Sequence, residues 1–347
     1  MSNRSQSEID FDEIVERSTD ELRILLRSGV LVTGGSGFVG RWIISALSHA
    51  AERLRVVPRI ASLNRSTRTW QINKVKENKL TVISADVTEV FRVNDTYGYV
   101  FHCATPASAL MNATNPSEMQ RVIEIGADNV IECFSQSSTR VINVSSGAVY
   151  GVQPSDVQCL DDDWRSNPRF VLPDSAYHRA KVVAEAKFDA ALAHSSFSVV
   201  HARLFAFLAP FLPLDQHFAA GNFLKDALSN RQINITGDGR TVRTYMYGTD
   251  LVVWLLAAAV RGLSGVAYNI GSPHETTIAE LAAKISEITG STAGVHNLGK
   301  SNPTEPVHRY VPCTTRTEQA LGVQLNVELD DAIKRTVRWI RESPLSE

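Results

Sequence analysis

The sequence predicts an α/β fold, a doubly wound parallel sheet carrying a smaller C-terminal lobe. Three observations point there. Strand-like apolar runs alternate with helical ones over residues 30–202, the pattern of parallel strands covered by helices on both faces. A glycine-spaced turn joins the first strand of that series to the first helix. After residue 203 the alternation gives way to a proline-punctuated loop and shorter elements, and 347 residues are long for one compact core.

Each element has its own signal. Residues 8–27 read as a helix whose apolar positions are Ile9, Ile14, Leu22, Ile24 and Leu25. Because it precedes the first strand, residues 1–28 are expected to be an extension packed on the main domain. Strands are expected at 30–33, 59–64, 80–84, 99–103, 140–145 and 198–202, and helices at 38–51, 116–135 and 175–193. The apolar loop at 206–217 contains Pro210 and Pro213. A helix at 219–229, a strand at 233–235 and a Gly-Asp-Gly turn follow, then helix and strand again over 249–270. The tail, 276–347, reads as two helical stretches. The expected division is 29–204 with 245–270 as the main domain, and 205–244 with 271–347 as the smaller lobe.

Composition removes several function classes. Hydrophobic residues at 44% and charged residues at 21% are ordinary for a globular chain, which excludes disorder. A formal charge of −2 gives no basic field for nucleic acid. The longest apolar run, 251–260, is too short to span a membrane and reads as a buried helix. Cys103, Cys133, Cys159 and Cys313 form no CxxC pair, so reduced thiols, no metal site and a cytoplasmic protein are expected.

The glycine turn is VLVTGGSGFVG, with Gly34, Gly37 and Gly40 at three-residue spacing and Phe38 and Val39 between the last two. Such glycines allow a tight turn and let a pyrophosphate approach the backbone, with the free N–H groups of the following helix facing it. A dinucleotide site of Rossmann type is the reading. At the end of the second strand a carboxylate would bind the adenosine ribose diol of NAD. Asn64 and Arg65 stand there instead and suit a 2′-phosphate, so NADP is expected ahead of NAD. Asp86, just after the third strand, could accept from the adenine amino group.

Tyr177 and Lys181 are four residues apart at a predicted helix start, on one helix face. An ammonium there lies near a phenol and a bound ribose, and its charge would make the phenol a usable acid or base. Ser145 and Ser146 end the fifth strand, where such sheets gather ligands, and a hydroxyl there can orient a carbonyl or alcohol oxygen.

Taken in order, TGGSGFVG, the Asp86 strand end, FHCATPAS, VINVSSGAVYG and YHRAK resemble the motifs of the extended short-chain dehydrogenase/reductase superfamily. The similarity is closest to its nucleotide-sugar epimerase, dehydratase and reductase branch and continues through NFLKDAL, GDGRTVRTYMYGTD and YNIGS, covering about residues 28–345. The resemblance implies that Val87, Cys103, Ala104 and Thr105 also line the cofactor, and that Ser146, Tyr177 and Lys181 are catalytic. It implies a nucleotide diphosphate sugar as substrate, with Asn222 and Arg243 at the diphosphate, Ser146 at the sugar, and Asp250 as an anchor. It also implies a homodimer formed through the helices at 116–135 and 175–193.

Departures from the family pattern narrow the chemistry. The 4,6-dehydratases carry Thr-Asp-Glu where this chain has Ser146-Gly147-Ala148, so no side-chain acid and base stand there to remove water. Ala206 replaces an Asn common three residues after the Arg that ends the sixth strand, and His178 is bulkier than usual and expected to face solvent. The expected function is oxidoreduction at C4 of a nucleotide-linked hexose, as a 4-ketosugar reductase or a 4-epimerase, with Arg65 tilting toward the reductase. The alternatives are a dehydratase lacking the usual pair and a non-catalytic dinucleotide sensor.

Overall fold

The computed structural model describes residues 4–65, 80–106, 109–172, 174–214, 218–299, 302 and 304–342. The chain opens with α1 (Gln6–Arg17) and α2 (Thr19–Ser28). The main alternation then runs β1 (Val30–Thr33), α3 (Phe38–Arg53), β2 (Ile60–Asn64), β3 (Thr81–Ser84) and β4 (Tyr99–His102). It continues through α4 (Ala109–Thr114), α5 (Pro116–Phe134), β5 (Arg140–Ser146), α6 (Ala176–Leu192) and β6 (Ser198–Leu204). Next come α7 (Ala219–Leu228), β7 (Ile233–Ile235), β8 (Val242–Thr244), α8 (Gly248–Arg261), β9 (Val266–Ile270) and β10 (Glu275–Thr277). The chain ends with α9 (Ile278–Thr289), β11 (Val295–Asn297), β12 (Arg309–Tyr310), α10 (Thr315–Leu321) and α11 (Leu329–Glu342).

Seven parallel strands form the central sheet in the order β3-β2-β1-β4-β5-β6-β9. The order reverses between β1 and β4, and this switch point opens a crevice at the C-terminal strand ends. The expected α/β doubly wound sheet is therefore present. Every residue of β1 and β2 is buried, which is why these strands read as apolar runs rather than as alternation. The expected apolar helix at 251–260 is α8, buried along almost its whole length against the sheet and the N-terminal helices. Among the described residues no helix is long and apolar enough to cross a membrane.

Three regions differ from expectation. The single helix expected at 8–27 is two, α1 and α2, which part at Ser18. The polar face of α1 is tied to distant segments: Tyr247 donates to Asp10 at 2.7 Å, Arg17 pairs with Asp250 at 2.7 Å, and Arg335 pairs with Glu13 at 2.6 Å. Burial pushes the Asp10 carboxyl up to about 6. Asp250 also accepts the backbone N–H groups of Asn326 and Val327, so it anchors the tail as well as α1.

The tail, expected as two helical stretches, has three helices and three short strands among its described residues. Those strands complete two small sheets, β10-β8-β12 and β11-β7. Strands of two or three residues are too short to show a period.

The expectation of four reduced thiols is corrected: Cys159 and Cys313 form a disulfide, while Cys103 and Cys133 are free. The partners are 154 residues apart in sequence, so spacing carried no sign of the bond. The fold joins them because Leu160 donates to Val311 O and Cys313 donates to Leu160 O, each at 2.8 Å.

Gly248 starts α8 against the Trp42 ring, and a methyl carbon built on it would stand 2.2 Å from that ring. Gly248→Ala should therefore destabilise the fold by about 1–3 kcal/mol through overpacking. Urea unfolding reads this directly, and an unchanged midpoint would show that Trp42 can move aside freely.

Candidate active site

The dinucleotide crevice begins where β1 ends. Gly34 takes a left-handed backbone, φ +67°, and a Cβ there would lie 2.7 Å from Ala104 Cα, so the loop and the β4 end touch through bare backbone. A Cβ on Gly40 would lie 2.5 Å from Gly34 O. Gly37 caps α3 with no side-chain hydrogen bond, which leaves the first N–H groups of α3 aimed into the crevice. Phe38 and Val39, the next two residues, are partly buried. This cradle fits a pyrophosphate.

Asn64 is 4% exposed and both ends of its amide are engaged. It accepts from Ser36 N at 3.0 Å and donates to Ser62 Oγ at 2.8 Å, so it braces the glycine loop from β2. Arg65 is exposed beyond it. Asp86 accepts from the Thr88 N–H and hydroxyl, each at 2.9 Å. Burial would raise the Asp86 carboxyl, but the Thr88 bonds and the charges of Arg65 and Arg121 hold it below the usual range. Val87 is buried, and its carbonyl accepts from Asn129 at 2.8 Å. Cys103, Ala104 and Thr105 follow β4 and border the glycine loop. Burial pushes the Cys103 thiol up to about 12, so it stays protonated.

The residues expected to be catalytic converge from two elements. Ser175 caps α6 and accepts from His178 N at 3.3 Å, while Asn112 accepts from Tyr177 N at 3.0 Å. These bonds place Tyr177 in the first turn and Lys181 one turn later. The Lys181 ammonium donates to Thr105 Oγ1 at 3.0 Å and Val144 O at 2.8 Å, and lies 5.9 Å from the Tyr177 ring centroid. Burial pushes Lys181 down to about 8. Ser146 ends β5, accepts from Ala148 N at 3.1 Å and interacts with the Tyr177 hydroxyl.

Two expectations change here. The Tyr177 phenol lies above its ordinary range because burial outweighs the Ser146 hydroxyl, so Lys181 does not by itself lower it. His178, expected in solvent, is half-buried, and burial lowers its pKa.

Beneath these groups lies a buried ion pair that the sequence reading did not single out. Glu185, 1% exposed, meets Arg203, 6% exposed, in a two-pronged pair with Nε at 3.0 Å and Nη2 at 2.7 Å. Ser145 donates to the same carboxylate at 2.6 Å and Arg165 at 2.7 Å. Arg203 also donates to Tyr150 OH at 2.9 Å and Asp162 O at 2.8 Å. Burial alone would raise Glu185, but Arg203 wins and holds it at about 2. The available sequence signal was Glu185 one turn after Lys181, on the same helix face.

Tyr310 was also missed, because it arrives from 133 residues beyond Tyr177 (310 − 177) on a two-residue strand. Its ring stacks on Phe205 with centroids 4.5 Å apart. Its strand neighbour in β8 is Arg243, whose guanidinium lies 5.9 Å from the Tyr310 centroid. Arg243 is thus at the cluster, whereas Asn222 is exposed on α7 and no described contact ties it to the site.

A crevice at the switch point, a glycine cradle and a Ser-Tyr-Lys cluster at neighbouring strand and helix ends define an extended short-chain dehydrogenase/reductase. The family model described as "NAD dependent epimerase/dehydratase family" matches residues 30–271, and the chain belongs to that family. UDP-glucuronic acid decarboxylase 1 of Xenopus tropicalis is 25% identical over 317 residues, covering 91% of this chain and 73% of that protein. An epimerase from Methanothermobacter thermautotrophicus superposes with a TM-score of 0.79 at 24% identity, covering 95% of this chain and 96% of that one. A UDP-glucose 4-epimerase from Thermotoga maritima, with UDP-glucose, gives 0.76 at 22% identity, covering 91% and 99%.

Arg203→Met would leave Glu185 buried without its main cation and should cost about 3–5 kcal/mol of stability. In the wild type the Glu185 carboxyl is held at about 2 against an ordinary 4.5. Its stabilisation is therefore complete above pH 4.5 and fades as pH falls toward 2. Urea titrations of both proteins test this, and equal midpoints at pH 7 would remove the pair from the account.

Proposed function

We propose that this protein is a redox-neutral 4-epimerase of a UDP-linked hexose, working with a retained NAD. One observation carries the reading. The positions beside Ser146 hold no carboxylate, and the space a side chain at Gly147 would need is filled: a Cβ there would lie 2.6 Å from Tyr310 OH and 2.7 Å from the Phe205 ring. Ala148 is buried. Removal of water needs an acid and a base at the sugar, and the residues present supply only the alcohol–ketone pair. The similar proteins include a UDP-glucose 4-epimerase and a UDP-glucuronic acid decarboxylase, which supports a UDP-sugar as substrate.

A nicotinamide dinucleotide held by the Gly34–Gly40 turn and Lys181 would supply the hydride acceptor, and in its reduced form the donor, at C4. Tyr177 takes the proton of the C4 hydroxyl and returns it after the keto sugar has presented its other face. Ser146 holds the same oxygen. Lys181, fixed by Thr105 and the Val144 carbonyl, orients the ribose and adds the positive charge that favours the Tyr177 phenolate. Arg243 lies next to Tyr310 and faces the sugar diphosphate in this reading. The smaller lobe, 205–244 with 271–347, carries the substrate, and two chains pair through α5 and α6. NAD is preferred to NADP in this reading because the family is described as NAD dependent and similar solved structures hold NAD.

Incubation with UDP-hexoses should yield a product of unchanged mass and new retention time, without net cofactor turnover. Tyr177→Phe should slow this by roughly two to four orders of magnitude, the scale of lost general acid–base catalysis. Loss of water or carbon dioxide, or a two-hydrogen gain coupled to cofactor oxidation, would overturn the epimerase reading.

Calorimetry should show tighter binding of NAD than NADP. Arg65→Ala should change both affinities by less than about threefold, well under a charged hydrogen bond. Tighter NADP binding, with a selective loss in the variant, would restore the 2′-phosphate role.

A further inference from the structure

The Lys181 side chain is buried, 2% exposed, and its ammonium has three N–H groups to place. The Val144 carbonyl of β5 takes one at 2.8 Å, and Thr105 Oγ1 takes another at 3.0 Å. Among the described residues none accepts the third. The side chain is therefore held at two points, and one N–H is left for a partner in the crevice.

The two anchors differ in kind. Val144 O is backbone within the central sheet, and any residue type at that position would supply it. The Thr105 hydroxyl is a side-chain contribution, which a valine of nearly the same outline would not make. A buried donor deprived of its acceptor is costly, so the hydroxyl is what holds the ammonium on that side.

Thr105 is in turn located by the dinucleotide cradle. Its own N–H donates to Cys103 O at 2.8 Å, and Cys103 N donates to Thr33 O at 3.1 Å. Ala104 N donates to Thr33 Oγ1 at 3.2 Å. Thr33 is fully buried at the end of β1, next to Gly34. The close approach of Ala104 to this turn requires a glycine, since a Cβ on Gly34 would stand 2.7 Å from Ala104 Cα. A continuous run of contacts thus leads from the glycine turn through Thr33, Ala104 and Thr105 to Lys181.

We propose that Thr105 is a positioning residue that ties the Lys181 ammonium to the pyrophosphate cradle and fixes the direction of its one remaining N–H. It acts through Lys181 and not by touching the dinucleotide, which differs from the lining role that the family resemblance implies. A free lysine side chain loses rotamer freedom when it engages a ligand. Two anchors remove that freedom during folding, so less is lost when the ribose is bound. The inference rests on the dinucleotide site and not on the C4 reading.

Calorimetry with NAD, without sugar substrate, tests it. Thr105→Val should weaken NAD by roughly three- to tenfold, the scale of one hydrogen bond. Thr105→Ser keeps the hydroxyl and should stay within about twofold of the wild type. Thr105→Ala removes the hydroxyl without adding a methyl group in its place, and it should match Thr105→Val. In a Lys181→Met background, Thr105→Val should change NAD affinity no further, because the two residues act as one unit. In turnover of UDP-hexose, Thr105→Val should lower kcat by roughly three- to tenfold with KM nearly constant, and Thr105→Ser should restore it. Wild-type NAD affinity in Thr105→Val overturns the proposal. So does a loss in Thr105→Ser as large as in Thr105→Val, which would make shape and not the hydroxyl responsible. An equal loss with and without Lys181 also overturns it, since Thr105 would then touch the dinucleotide itself. The binding pattern in a protein that turns over no UDP-hexose supports the Thr105 role and refutes the C4 reading.

Discussion

The Glu185–Arg203 pair is the interaction on which the rest of the site depends. Glu185 lies on α6, the helix that carries Tyr177 and Lys181. Arg203 lies on β6, and Ser145, which donates to the same carboxylate, lies on β5 beside Ser146. One buried carboxylate therefore fixes a helix and two strands relative to one another. Two-pronged geometry and the additional bonds from Ser145 and Arg165 compensate the desolvation that would make an unpaired charge costly there. Through Tyr150 and Asn269 the same network reaches the segment ending at Cys313, which carries Tyr310 into the cleft. The distant parts of the site are thus set by a single polar assembly under the strand ends.

Above that assembly, the ionisable groups are pushed apart by their surroundings. Burial lowers Lys181 to about 8, which brings its proton into a usable range, and raises both phenols. Burial outweighs the Ser146 hydroxyl at Tyr177 and favours its protonated form. The filled space at Gly147 is the steric side of the same design. Tyr310 and Phe205 fill the space that a side chain at Gly147 would need.

Much of the main sheet was legible because its signals are local. Val30–Thr33 and Ile233–Ile235 were read to the residue, and α5 and α6 to within one residue at either end, since a strand's apolar run and a helix's caps lie in contiguous sequence. Gly34, Gly37 and Gly40 announced a crevice because a turn with backbone in close contact admits no side chain. The partners of the first helix's polar face were not legible, because Asp10 and Arg17 meet Tyr247 and Asp250, more than two hundred residues away. The disulfide was invisible for the same reason, and its cysteines were misread as reduced thiols.

By itself the sequence determined the parallel sheet, the place of the dinucleotide cradle, and the Ser146, Tyr177 and Lys181 set, since each depends on spacing within one strand-helix unit. The tertiary structure decided what surrounds them. It brought Tyr310, with Arg243 beside it, over the Gly147 backbone next to Ser146, turned Asn64 into a brace for the glycine loop, and raised the Tyr177 phenol that spacing alone had suggested would be lowered. Proton affinities and side-chain orientations depend on desolvation and on partners from remote segments. Both come into being only when the chain has closed on itself.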